Sequence, residues 1–262
     1  MAACIRLNYI KSEDFLENIL SKYIFDFMAE LNNILFLDIE TVRQSRDFEE
    51  LDERWKALWE KKAKFIAKDE QTANDVYERA SIYAEFGKIV AICVGVIYKD
   101  TEGKNAIKLK SIHGHDEKVI LNEFAALVKK NFSGAQHYLC GHNGKEFDFP
   151  YIARRMLVHG IPLPVPLQMA GKKPWEIKHL DTMELWKFGD YKNFTSLDLM
   201  AAIFGIPTPK DVIDGSMVGD VYWVEEDLEK IATYCKKDVS TLINVYLRLV
   251  GKEIIPNQLV SG

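Results

Sequence analysis

Residues Ile34-Leu35-Phe36-Leu37-Asp38-Ile39-Glu40-Thr41 decide how this chain of 262 residues is read. The apolar run Ile34 to Leu37 follows the polar pair Asn32-Asn33 and suits a strand buried on both faces. Asp38 and Glu40 close the run two residues apart, and side chains at i and i+2 of a strand share a face. Two carboxylates beside an apolar core repel each other and resist desolvation. A divalent cation relieves both effects. On this stretch alone the plainer reading has the edge: the strand ends at Leu37 and both acids are solvated, as acids at strand ends commonly are.

Working outward, no Pro/Gly/Ser linker divides the chain and no internal repeat is visible. With 48% hydrophobic residues, one large domain is expected. The formal charge of −5 argues against non-specific coating of nucleic acid. Local basic patches or bound metal remain as routes to a phosphate chain. Cys4, Cys93, Cys140 and Cys235 form no C-x-x-C pair, and three lie in apolar segments. They read as buried, reduced thiols of a cytoplasmic protein. Glu13, Asp14 and Glu17 break any secretory core near the start, and no stretch reaches membrane-spanning length.

Residues 1–30 repeat Phe15, Ile19, Tyr23, Ile24 and Phe27 at helical spacing and are expected to form a helical extension outside the core. After the first strand, 43–85 is a polar, mostly helical insertion. Phe48, Leu51, Trp55, Leu58 and Trp59 lie there on one helical stripe, expected to pack against the domain rather than to stack bases. Strands follow at 88–98 and 106–113, completing an antiparallel meander with the first. A helix over 116–131 turns Val119, Ile120, Phe124, Leu127 and Val128 inward. A short strand at 138–142 leads through Asn143-Gly144-Lys145 into a helix after Phe149. Residues 161–178 are loop-like, 179–181 an edge strand, and short helices lie near 182–188 and 195–204. After an irregular 207–224, one long helix spans 225–249, and 251–262 is a tail. The order fits an α/β fold, a mixed sheet with helices on both faces.

Two more acids stand out. Asp148 precedes a helix, where Asp is favoured anyway. Asp238 is harder to dismiss. It lies on the apolar stripe Leu228, Ile231, Cys235, Leu242, Tyr246 and Leu249, and a carboxylate on a buried face needs a partner. Tyr234 is one turn earlier.

Three segments now stand in order: Phe36-Leu37-Asp38-Ile39-Glu40-Thr41, Asn143-Gly144-Lys145-Glu146-Phe147-Asp148 and Tyr234-Cys235-Lys236-Lys237-Asp238. The set resembles the DEDDy branch of the 3′-to-5′ exonucleases, in the ribonuclease H-like superfamily. It is most similar to stand-alone bacterial proteins akin to the proofreading domain of family B DNA polymerases. Glu85-Phe86-Gly87-Lys88-Ile89-Val90, Asp181-Thr182-Met183-Glu184-Leu185-Trp186 and Asp214-Gly215-Ser216 extend the likeness, which runs from about Asn32 to Leu249.

The resemblance implies a ribonuclease H-like mixed five-stranded sheet, a three-strand antiparallel meander plus parallel strands, flanked by helices. The exonuclease domain would span 31–250, with no linked polymerase domain. It also implies two divalent ions, Mg²⁺ or Mn²⁺, held by Asp38, Glu40, Asp148 and Asp238. Asp38 would bridge them, Glu40 and Asp238 would hold the ion carrying the attacking water, and Asp148 would hold the other. Tyr234 would orient that water. Thr41, Asn143 and Phe147 would contact the terminal nucleotide or shape its pocket. The expected substrate is the 3′ end of single-stranded nucleic acid, DNA ahead of RNA, in a role such as DNA repair. An exoribonuclease of the same fold and a non-catalytic nucleic-acid-binding scaffold are the alternatives. His113-x-His115 is expected at a turn rather than on zinc, and His142 and His179 in structural hydrogen bonds.

Overall fold

The computed structural model of the chain describes residues 30–190, 192, 194–207 and 213–256. The expected helical extension at 1–30 therefore lies, but for its last residue, outside the described residues. Five strands form one sheet in the order β3-β2-β1-β4-β5: β1 Ile34–Arg43, β2 Gly87–Lys99, β3 Asn105–His113, β4 Tyr138–Gly141 and β5 Leu180–Asp181. β1 to β3 pair antiparallel, and β4 and β5 continue the sheet parallel to β1. This is the mixed α/β sheet expected from the sequence.

The alternation of β1 sorts its side chains between two cores. Leu35, Leu37 and Ile39 pack under two helices, α2 (Glu117–Asn131) and α3 (Asp148–Val158), with Phe124, Val128, Phe149 and Ile152. Ile34 and Phe36 face the other way, against Val239, Leu242, Ile243 and Tyr246 of the long helix α6 (Leu228–Leu249). Phe36 meets Tyr246 edge to face at 5.4 Å between ring centres. Asp38 and Glu40 continue the row that faces α6.

The insertion carries its own small core. Trp59 on α1 (Glu53–Ala63) is fully buried, packs with Tyr77 and Phe86, and donates its indole N–H to the Ala73 carbonyl at 2.8 Å. Packing thus takes this Trp, as expected. The predicted single stripe from Phe48 is interrupted, however. Phe48–Glu50 is a separate 3-10 turn, and Leu51 is extended. The Asp52 carboxylate accepts the Arg54 and Trp55 amides, which starts a new helix, and Leu58 ends up outside.

Three further expectations shift. Val119 points to solvent, 61% exposed, while Leu121 is buried. The buried line Ile120, Phe124 and Val128 centres the inner face of α2 on the side away from Val119. α3 begins at Asp148 rather than after Phe149. α6 begins at Leu228 rather than Glu225, because Val221–Glu225 is a π turn, Glu226 is left-handed at φ 57°, and Asp227 caps the helix. Of the remaining helices, α4 is Thr182–Lys187 and α5 is Leu197–Phe204. Met200 and Ala201 of α5 pack on Val245 of α6. The expected tail starts packed: Ile255 is buried and exchanges backbone bonds of 2.8 and 3.0 Å with the Asn244 amide group. Among the described residues no helix is long and apolar enough to cross a membrane.

Candidate active site

β1 presents Asp38 and Glu40 from its middle, because the strand neither ends at Leu37 nor closes at the acids but runs on to Arg43. A register shift against β2 falls between Glu40 and Thr41, so the i, i+2 pair keeps its common face up to the irregularity. α6 crosses this face and presents Tyr234, Cys235 and Asp238, one helical turn apart. The Cys235 thiol donates to the Asp38 carbonyl at 3.5 Å and to Asp38 Oδ2 at 3.4 Å. Tyr234 and Asp238 are hydrogen-bonded through their side chains.

Asp148 arrives from the opposite core. β4 pairs with β1 only from Ile34 to Phe36, so beyond Phe36 the β4 side of β1 lacks a strand. The Asp148 carboxylate, at the first residue of α3, fills that place and accepts the Ile39 amide at 3.1 Å. The turn that carries it is tight. A Cβ on Gly141 would lie 2.9 Å from the Gly144 Cα, so neither glycine has room for a side chain. Asn143 is left-handed at φ 61°, a conformation Asn tolerates. The buried Asp181 carboxylate accepts the amides of Asn143 and Lys145 at 3.0 and 3.1 Å and caps α4 as well.

The result is a concentration of negative charge. Glu40 and Asp148 are buried and Asp38 is partly so. Among the described ion pairs none involves Asp38, Glu40 or Asp148. Burial holds the Asp38 carboxyl well above the usual carboxylate range, and Glu40, Asp148 and Asp238 push it further. Glu40 is raised by burial and then by Asp238. Asp148 is raised to about 7 by burial, against the pull of its amide donors. The Tyr234 phenol is raised by burial and then by Asp238 and Glu40, so it holds its proton through neutral pH. Asp38 and Glu40 therefore lie within electrostatic reach of both Asp148 and Asp238, and Tyr234 within reach of Asp38, Glu40 and Asp238. Hard oxygen donors with surplus negative charge fit Mg²⁺ or Mn²⁺.

The three residues expected at the nucleotide divide. Thr41 follows the acids directly and bonds to the Tyr151 phenol, which in turn donates to the Ser81 carbonyl at 2.8 Å. Phe147 packs against Tyr151 at 5.4 Å. Asn143 lines a neighbouring cavity of about 400 Å³ with Lys145, Lys172 and Asp181. His113 and His115 do not converge: the first meets Glu229 and the second Tyr222. His142 bonds to Thr182 and Thr195, and His179 to Leu139 and Pro166, as structural residues do. Cys235, whose thiol bonds to Asp38, is legible in the sequence only as a core member of the inner stripe.

The chain is 27% identical over 187 residues to DNA polymerase 1 of Pyrococcus abyssi, covering 66% of this chain and 23% of the polymerase. It thus spans about a quarter of that relative's length. Among solved structures it is similar to the family B DNA polymerase of Pyrobaculum calidifontis, with a TM-score of 0.42, 18% identity, and coverage of 85% of this chain and 26% of that one. It is also similar to the RNase domain of yeast Pop2, with a TM-score of 0.43, 10% identity, and coverage of 95% and 90%. A family model matches residues 81–253, from the last turn of the insertion to just beyond α6. That span carries Asp148, Tyr234 and Asp238, and with it the chain belongs to the family described as predicted 3′-5′ exonucleases related to the exonuclease domain of PolB.

Proposed function

We propose that this protein is a metal-dependent 3′-5′ exonuclease that hydrolyses the terminal phosphodiester of single-stranded DNA. The supporting observation is that Asp38 and Glu40 share one strand face within electrostatic reach of Asp148 and Asp238, in a chain of that family. Those four carboxylates would hold two divalent cations, which when bound supply a Lewis acid for the attacking water and a counter-charge for the leaving oxygen. The chain's own groups do the rest. Asp148 keeps β1 in register with α3 through the Ile39 amide. Tyr234, protonated and tied to Asp238, offers an oriented hydroxyl beside the scissile bond and acts by hydrogen bonding rather than as a base. Thr41 and Phe147 form the floor on which the terminal nucleotide rests, and Asn143 contacts it from the adjoining cavity. The domain doing this work is 31–250, with 1–30 appended.

The test uses DNA and RNA oligonucleotides labelled at either end, with Mg²⁺ or Mn²⁺. Stepwise shortening from the 3′ end of DNA is expected. Asp38→Ala should lower the rate at least about a hundredfold, the loss of several kcal/mol of charge stabilisation. Tyr234→Phe should lower it on the order of tenfold to a hundredfold, as loss of orientation does. Intact substrate with wild type, or unchanged cleavage by Asp38→Ala, rejects the reading. Shortening of RNA alone moves the substrate class to RNA.

A further inference from the structure

On the side of the sheet that α2 covers, the cover ends early. Val94 is buried there, Val96 is half-buried, and Tyr98, next in the same row, is 45% exposed. α2 stops at Asn131. Leu127 and Phe132 at its end wall an open groove of about 610 Å³ over Val94, Val96 and Tyr98. Lys108 and Lys110 of β3 lie opposite Val96 and Val94 and line the other side. Lys110 is paired with Glu123, and among the described ion pairs none involves Lys108. An apolar floor with a basic rim suits an amphipathic segment with acidic flanks.

Such a segment is attached to the groove. Asn32, in the turn Leu31–Asn33 that leads into β1, also lines it, so the chain before Glu30 arrives at its edge. Phe15, Ile19, Tyr23, Ile24 and Phe27 recur in that chain at helical spacing. Glu13, Asp14, Glu17 and Asp26 outnumber the one lysine of 13–27, Lys22. Phe27 is five residues from Asn32, which spans at most about 18 Å of extended chain. A short amphipathic stretch is marginal in water and needs a surface for its apolar stripe. A second copy of the chain is a poorer occupant. A two-fold contact through this groove would set Lys108 and Lys110 of both copies against each other.

We infer that residues 13–27 lay their apolar stripe in the groove between β2, β3 and the end of α2, with their acids towards Lys108 and Lys110. The groove adjoins the start of β1, at Leu35. Asp38 and Glu40 stand further along that strand in the row that faces the other way. The docked segment therefore covers the back of the sheet and leaves the carboxylates open.

The test uses the full chain with Tyr98→p-benzoylphenylalanine, whose side chain couples on irradiation to a neighbouring C–H group. Equal parts of isotope-labelled and unlabelled protein are irradiated and digested, and the coupled peptides are read by mass spectrometry. Coupling of position 98 to a peptide within 13–27 of the same molecule is expected. Ile19→Asp with Tyr23→Asp should cut the yield about fivefold or more, by removing the apolar anchors. Hydrogen exchange gives a second reading without the photo-label. The amides of 13–27 should exchange about tenfold more slowly in wild type than in Tyr98→Asp, with α6 peptides unchanged. Coupling only between labelled and unlabelled molecules assigns the groove to a second copy and overturns the inference. Coupling only elsewhere, a yield indifferent to Ile19→Asp with Tyr23→Asp, or equally fast exchange in wild type and Tyr98→Asp also overturns it. Nuclease activity plays no part in either measurement.

Discussion

Glu117 and Asp148 are equally hidden, 5% and 3% exposed, yet the chain treats them in opposite ways. Glu117 accepts Arg155 Nε at 2.9 and 3.1 Å, Arg155 Nη2 at 2.5 Å, His159 Nε2 at 2.7 Å and the Ile89 amide at 2.7 Å. Asp148 accepts the Ile39 amide and lies in a field of other acids. The fold can neutralise a buried carboxylate from its own residues, and at Glu117 it does. Acids left uncompensated at 38, 40 and 148 suit neutralisation from outside the chain.

The sharpest break of this contrast is in the sign of single changes. Arg155→Ala strands a buried anion and should destabilise the fold by about 3–5 kcal/mol in urea melts. Asp38→Asn removes repulsion, so without metal its midpoint should equal or exceed that of wild type. An equal loss in both variants would mean that the two sites are alike. Next comes the external charge itself. Mn²⁺ at a hundred times its dissociation constant should stabilise wild type by about 2.7 kcal/mol. Asp38→Asn, lacking a carboxylate of the proposed metal site, should gain far less at the same concentration, read as a smaller rise in Tm.

A third, smaller effect is in pH. Folded Asp148 keeps its proton to about 7, whereas unfolded Asp loses it near 3.9. Between those values the folded state binds more protons, so stability from this group falls as pH rises. With chelator present, Tm of wild type relative to Asp148→Asn should therefore decline from about pH 4 to about pH 7, and saturating Mn²⁺ should abolish the decline. The smallest effect marks the baseline. The exposed pair Lys104–Glu102 is screened by solvent, and Lys104→Ala should change stability by less than about 0.5 kcal/mol.

The contrast also separates what was legible in the sequence from what was not. Asp38 and Glu40 could be read from a strand of period two, and Asp238, with Tyr234 one turn before it, from a long apolar stripe. Asp148 read alone only as a helix start, and the expectation that all of them meet came from the resemblance of the three ordered segments, since periodicity places each residue on its own element only. Glu117, Arg155 and His159 were invisible, because their partnership depends on how α2 and α3 cross, and sequence spacing does not encode that. The thiol of Cys235 read only as core, since an apolar stripe does not say which of its members touches a carboxylate. Boundaries shifted where a single polar residue captured a helix start, as Asp52 and Asp227 do.

The missing strand beside Ile39 gives position 148 two jobs that selection can tell apart. Its oxygen stands in for a backbone carbonyl, and its charge belongs to the site. Asn keeps the first and gives up the second; Ala gives up both. A variant library sorted for soluble expression should therefore admit Asn at 148 and discard Ala, while the same library sorted for cleavage should discard both. The gap between the two sorted populations would show, from genotype counts alone, which acids of this protein serve the fold and which serve the substrate.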